Sequence, residues 1–161
     1  MNIDHNHTEN EALRVLEAYN ITKPVVNAAD IAKKEGYEIK EIEMPNGYDD
    51  VAGFYDKDKK TIYVNASDHP TRKLFTIAHE LGHIFLGHSS YPVLFRVPKK
   101  DEGYLKKESE ANSFAAKLLM PEFMVREYLQ KYDLSRSDYR VMASMFGVPM
   151  SSMKHTLEWL K

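Results

Sequence analysis

One helix constrains this chain more than any other segment. Between Pro70 and Gly87 the apolar residues Leu74, Ile77, Ala78, Leu81, Ile84 and Phe85 spread round the cylinder instead of forming one stripe. Such a helix has to be buried by several neighbours. Yet it also carries His79-Glu80-Leu81-Gly82-His83. Unpaired polar groups are costly to bury, so these three need partners, and a metal ion supplies them. Histidines four apart sit about one turn apart on the same face, and two imidazoles so placed chelate one Zn²⁺ at about 2.0–2.1 Å per nitrogen. Glu80, one step round the helix, leaves the coordinating direction but reaches a water molecule beside the metal as a general base. Pro70 suits a first helical turn, with Ser67, Asp68 or His69 as the cap, and Gly87 suits its end.

The rest of the composition narrows the chemistry. There is no cysteine among the 161 residues, which excludes thiolate ligands, a cysteine nucleophile and a disulfide framework. Any metal is held by nitrogen and oxygen. The formal charge of −2 gives no general pull toward nucleic acid or an anionic membrane. Residues 1–10 lack the apolar stretch of a secretory signal, and no run approaches membrane-spanning length, so a cytoplasmic location is expected. His5 and His7 in that polar segment read as part of a solvated tail rather than a second metal site.

Along the chain, Glu9 to Tyr19 and Val25 to Glu35 read as helices. Strand patterns follow at 37–43, 51–55 and 61–65, the last two flanking the charged turn Asp56-Lys57-Asp58-Lys59 as a hairpin. Residues 89–103, with Pro92 and Pro98, read as a long loop, and Lys106 to Met120 as a helix. The C-terminal stretch reads as two helices, Tyr139 to Phe146 and Ser151 to Leu160, broken at Gly147-Val148-Pro149. Its outline is that of a helix–turn–helix, but the second helix offers only Lys154, His155 and Lys161 as polar reach. A helical hairpin that closes the core is the better reading. The expected fold is α+β: a core over 1–121 with a flexible tail at 1–8, a small antiparallel sheet packed on helices, and a C-terminal helical subdomain over 122–161.

Two histidines leave a catalytic zinc site one protein ligand short. His88 is close by, but the metzincin pattern places glycine and histidine three and six residues after the second motif histidine, where this chain has Leu86 and Ser89. His88 reads instead as a helix-end residue favoured by the dipole. The other source is a glutamate on the helix after the long loop. Glu110 is four residues before Phe114 and eight before Leu118, on their apolar side, whereas Glu108 lies some 200° away and is expected to face solvent or the helix start. Glu110 is therefore the expected third ligand.

The strings Phe75-Thr76-Ile77-Ala78-His79-Glu80-Leu81-Gly82-His83 and Glu108 to Pro121 resemble the two hallmark motifs of the ImmA/IrrE family of bacterial and phage metallopeptidases, as does the hairpin ending Ile62-Tyr63-Val64-Asn65. That resemblance, running from about Val25 to Pro121, implies a zincin-like fold and a gluzincin-type site. Carried over by position, it makes His79, His83 and Glu110 the zinc ligands and Glu80 the general base. It further implies cleavage of a helix–turn–helix transcriptional repressor of a phage, a mobile element or a stress regulon, with no direct contact to nucleic acid or membrane. Two other classes of function are weighed against it. One is a non-catalytic regulator that sequesters the repressor around a structural metal. The other is a DNA-binding protein that uses the C-terminal helix pair.

Overall fold

The computed structural model describes residues 2–88 and 102–161. Among these residues, seven α-helices and three strands follow one another as α1 (His5–Ala18), α2 (Ala28–Lys34), β1 (Glu38–Ile42), β2 (Gly53–Asp56), β3 (Thr61–Asn65), α3 (Pro70–Phe85), α4 (Glu102–Leu119), α5 (Glu122–Lys131), α6 (Tyr139–Phe146) and α7 (Met150–Trp159), with a short 3-10 turn at Arg136–Asp138 before α6. The architecture is α+β, as expected. The sheet is mixed rather than antiparallel: its order is β1-β3-β2, with β2 antiparallel to β3 but β1 parallel to it. The reason lies in the connection. β2 and β3 share a tight turn, whereas the chain leaves β1 through 43–52 and comes back only after β2, so β1 is free to run alongside β3 in the same direction.

β3 is the central strand, with Ile62 and Val64 fully buried. Cross-strand partners Phe54 and Tyr63 stack with centroids 4.6 Å apart, a pairing that ties β2 in register with β3. The Asn65 side chain donates to the carbonyls of Asp49 and Val51, fixing the segment that leads into β2.

α3 lies against β2, β3, α2 and α4, the burial on several sides that its apolar distribution demands. His69 caps it through Nδ1, which accepts from the Thr71 amide, and Pro70 follows in the first turn. α1 starts earlier than the sequence suggests. Asp4 caps it by accepting from the His7 amide, and Thr8 is buried with its hydroxyl 2.9 Å from that of Ser113 on α4. The tail expected over 1–8 is thus corrected: from His5 onward it is helix, because one face of that turn packs on α4. The loop expected over 89–103, with Pro92 and Pro98, lies outside the described residues except for 102 and 103, which belong to α4. The C-terminal helix pair forms as expected, with Gly147 in the left-handed region at φ 67° closing α6. Its buried Met142, Phe146, Met153 and Leu157 join the same hydrophobic core as Leu81 and Phe114.

The close approach of α3 and α4 depends on Gly82. A Cβ placed there would stand 3.0 Å from both the Cα and the carbonyl oxygen of Ala111. Replacing Gly82 by alanine improves helix propensity by up to about 1 kcal/mol, but overpacking costs about 1–3 kcal/mol. Because the crowded atoms are backbone, the second effect wins. Gly82→Ala should therefore lower the melting temperature, by roughly 2–4 °C for each kcal/mol lost, as thermal denaturation by circular dichroism would show.

Candidate metal centre

Three elements build the site. α3 presents His79 and His83 one turn apart, α4 presents Glu108 and Asn112 opposite them, the end of α3 brings in His88, and β2 lays Tyr55 beside them. The Nε2 atoms of His79 and His83 lie 3.1 Å apart. Oε2 of Glu108 is 3.2 Å from Nε2 of His79, and its Oε1 is 3.0 Å from Nε2 of His83. Among the described residues, these three side chains form the one group with donor atoms close enough to share a metal ion.

The opposite edges of both rings are also committed. Nδ1 of His79 is 2.8 Å from Oδ1 of Asn112, an acceptor, so that nitrogen carries the proton. Nδ1 of His83 is 2.9 Å from Nδ1 of His88. In the form that ligates a metal, with Nδ1 protonated, both rings aim Nε2 lone pairs at each other and at a carboxylate. A cation resolves that repulsion. The spacings fit one: a tetrahedron with bonds of about 2.0 Å has edges of about 3.3 Å, close to the 3.0–3.2 Å separations found here.

The third carboxylate differs from the one expected. Glu108 meets the histidine pair, while Glu110 turns aside, its Oε2 3.0 Å from Nε2 of His88 and its Oε1 3.8 Å from Nζ of Lys106. Sequence reasoning treats the inward face of α4 as a single face running through Phe114 and Leu118. In the structure α4 is sandwiched, with α1 on one side and α3 on another. The side turned to α3 is broad: it carries Glu108, Ala111 and Asn112, at i, i+3 and i+4, and also Phe114, which stacks on Phe85. The signal that could have found it is the pair of small residues, Gly82 and Ala111, where the two helices touch.

The electrostatics follow the geometry. Burial opposes charge on Glu108, but hydrogen bonds with His79 and His83 outweigh it and hold the carboxyl well below its usual range. Burial likewise works against a charged His79, yet its hydrogen bond to Glu108 and the nearby charge of Glu80 leave its pKa raised. Glu80 is only 6 % exposed, and burial pushes its pKa up against the opposing pull of His79 and His83. A carboxyl so placed takes up a proton more readily than a surface glutamate. Burial, with His83 adding to it, lowers the pKa of His88.

The centre opens into a cleft of about 450 Å³. One wall is β2, through Gly53, Phe54 and Tyr55; another is the start of α7, through Ser151 and Ser152; Glu80, Tyr104 and Lys107 also reach it. Tyr104, near the start of α4, lines this cleft. The Tyr55 hydroxyl donates to the backbone carbonyl of His88 over 2.7 Å, which ties β2 to the end of α3. Nothing in the local sequence marks Ser151 or Ser152; only tertiary packing brings them here.

Comparison with known proteins agrees with this architecture. Residues 32–158 match the Peptidase M78 family model, described as the IrrE N-terminal-like domain. The chain is 34 % identical over 106 residues to "Uncharacterized immunity region protein 2" of Bacillus phage phi105, covering 65 % of this chain and 64 % of that one. It is 32 % identical over 118 residues to the radiation response metalloprotease IrrE of Deinococcus radiodurans, covering 71 % of this chain and 35 % of the relative. A solved Mycobacterium tuberculosis transcriptional regulator shares the fold with a TM-score of 0.72 at 17 % identity, over 97 % of this chain and 47 % of that one. The chain thus spans about two thirds of the phage relative and about a third of the Deinococcus protein. With its histidine pair, facing glutamate and matched span, the chain belongs to the ImmA/IrrE family.

Proposed function

We propose that the protein is a zinc-dependent endopeptidase that cuts a helix–turn–helix transcriptional repressor. The observation that carries this reading is the convergence of His79 Nε2, His83 Nε2 and the Glu108 carboxylate within 3.0–3.2 Å of one another, beside a buried glutamate that lines an open cleft. His79, His83 and Glu108 would hold the metal. Bound there, zinc supplies a Lewis acid that polarises a peptide carbonyl and eases deprotonation of water. Glu80 takes the water proton and delivers it to the departing amine; its raised pKa suits both halves of that task. The peptide is oriented by β2, whose outer edge has no strand partner among the described residues. An extended substrate adds there as a further strand, held by backbone hydrogen bonds. Membership of the family, with relatives named for a phage immunity region and a radiation response, supports a regulatory protein such as a repressor as the target.

The decisive experiment incubates the zinc-loaded protein with purified helix–turn–helix repressors from its own genome. A single cut, abolished by chelation and restored by zinc, is expected; tight binding without a cut would make the protein a sequestering regulator instead.

Metal binding also carries a pH signature. His79 must be neutral to ligate, and its pKa is raised in the metal-free protein. Protons therefore compete with the metal at a higher pH than they would at an ordinary histidine. Zinc affinity should weaken on acidification beginning above the ordinary imidazole range, near 6.5. Titration with a competing chelator over a pH series measures this.

A further inference from the structure

Behind the donor set lies a second row of side chains that the proposed chemistry does not use. His83 Nδ1 is 2.9 Å from His88 Nδ1, and His88 Nε2 is 3.0 Å from Glu110 Oε2. Glu110 and His88 are both largely shielded, with side chains 17 % and 8 % exposed. Their alignment leaves one consistent assignment of protons. If His83 gives its Nε2 lone pair to the metal, its Nδ1 carries hydrogen and donates. His88 Nδ1 must then accept, which places the His88 proton on Nε2, where the Glu110 carboxylate receives it.

We propose that His88 and Glu110 are positioning residues, a two-step relay that fixes the tautomer and ring orientation of His83 and strengthens it as a ligand. A histidine ligand held by a carboxylate or carbonyl at its other nitrogen is a general device in metal sites; here an imidazole is interposed between ligand and carboxylate. The relay is locked on both sides, because Tyr55 donates to the His88 carbonyl and Lys106 stands beside Glu110. His79 has a shorter counterpart in Asn112, a neutral acceptor. The two ligands are thereby made unequal, with only His83 backed by a carboxylate.

This inference rests on the reading of His79, His83 and Glu108 as the zinc site, and its test separates the two. Zinc affinity is measured by competition with a chromogenic chelator for the wild type, Glu108→Ala, Glu110→Ala, Glu110→Gln, His88→Phe and the Glu110→Ala/His88→Phe double variant. Glu110→Ala and His88→Phe should each weaken binding by about 10–100-fold. Glu110→Gln, which still accepts from His88, should lose less. The double variant should be no weaker than His88→Phe alone, since Glu110 acts through His88. In the zinc-loaded wild type, ¹⁵N-histidine NMR should show His83 protonated on Nδ1, His88 protonated on Nε2, and a coupling between the two Nδ1 atoms across the hydrogen bond. That spectrum needs no variant to fold. Wild-type affinity in all the relay variants, or the opposite tautomer at His88, would overturn the relay and leave the metal site standing. Loss of zinc in Glu110→Ala as complete as in Glu108→Ala would make Glu110 a ligand and also overturn it. A wild type that takes up no zinc would overturn the site reading, and the relay with it.

Discussion

Replacing Glu80 by glutamine should leave zinc bound and slow peptide cleavage by about 10²–10⁴-fold, the usual contribution of a general base. The substitution keeps the shape of a side chain that is 6 % exposed, so packing changes little. It also removes no donor atom, because the metal group consists of His79, His83 and Glu108. What disappears is the basicity. An amide cannot take a proton from water, and the burial that raises the Glu80 pKa has no glutamine equivalent. Single-turnover cleavage of the repressor, followed on a gel beside metal analysis of the same sample, separates the two effects. Undiminished cleavage by this variant would sink the mechanism, and lost zinc would show Glu80 to be a ligand.

The second large effect is expected at Glu108. Alanine there should weaken zinc binding by more than the roughly 100-fold ceiling for residues that act from behind a ligand, and activity should vanish with the metal. Its carboxylate is the anionic member of the group and spans both histidines at 3.0 and 3.2 Å. Without it, two neutral imidazoles remain, too few for a stable site. The substitution also removes the carboxylate that favours a charged His79, so a proton does not simply replace the ion. Stoichiometric zinc in Glu108→Ala would transfer the ligand role to another carboxylate, with Glu110 the first to examine.

How far the sequence could be read is best seen at α4. Its existence, its apolar residues and its supply of a glutamate to the centre were all legible, because they depend on helical periodicity. Which glutamate was not. Periodicity locates an inward face only when there is one neighbour, and α4 has α1 beside one flank and α3 beside another. The same limit applies to β1. A strand pattern at 38–42 was visible, but its parallel pairing with β3 depends on the path of the chain through 43–52, on which local alternation is silent. The motif histidines fared better because a four-residue spacing on one helix fixes their relation without tertiary information. His88 shows the opposite case. Its place outside the metzincin register argued against that pattern, yet nothing local revealed that it would bridge His83 and Glu110.

The two outer strands of the sheet carry a further lesson, about self-association. An uncovered strand edge invites any other extended chain, including a second copy of the same protein. β1 is guarded against that by Glu38, Lys40 and Glu41, three charges in five residues. β2, Gly53-Phe54-Tyr55-Asp56, bears one charge and two aromatic rings, so electrostatics protects it little. Brevity protects it instead: four residues, ending in a charged turn, offer too short a template for a stable intermolecular sheet. An insertion that lengthened β2 would strengthen its grip on any peptide, and with it the tendency of the protein to pair with itself.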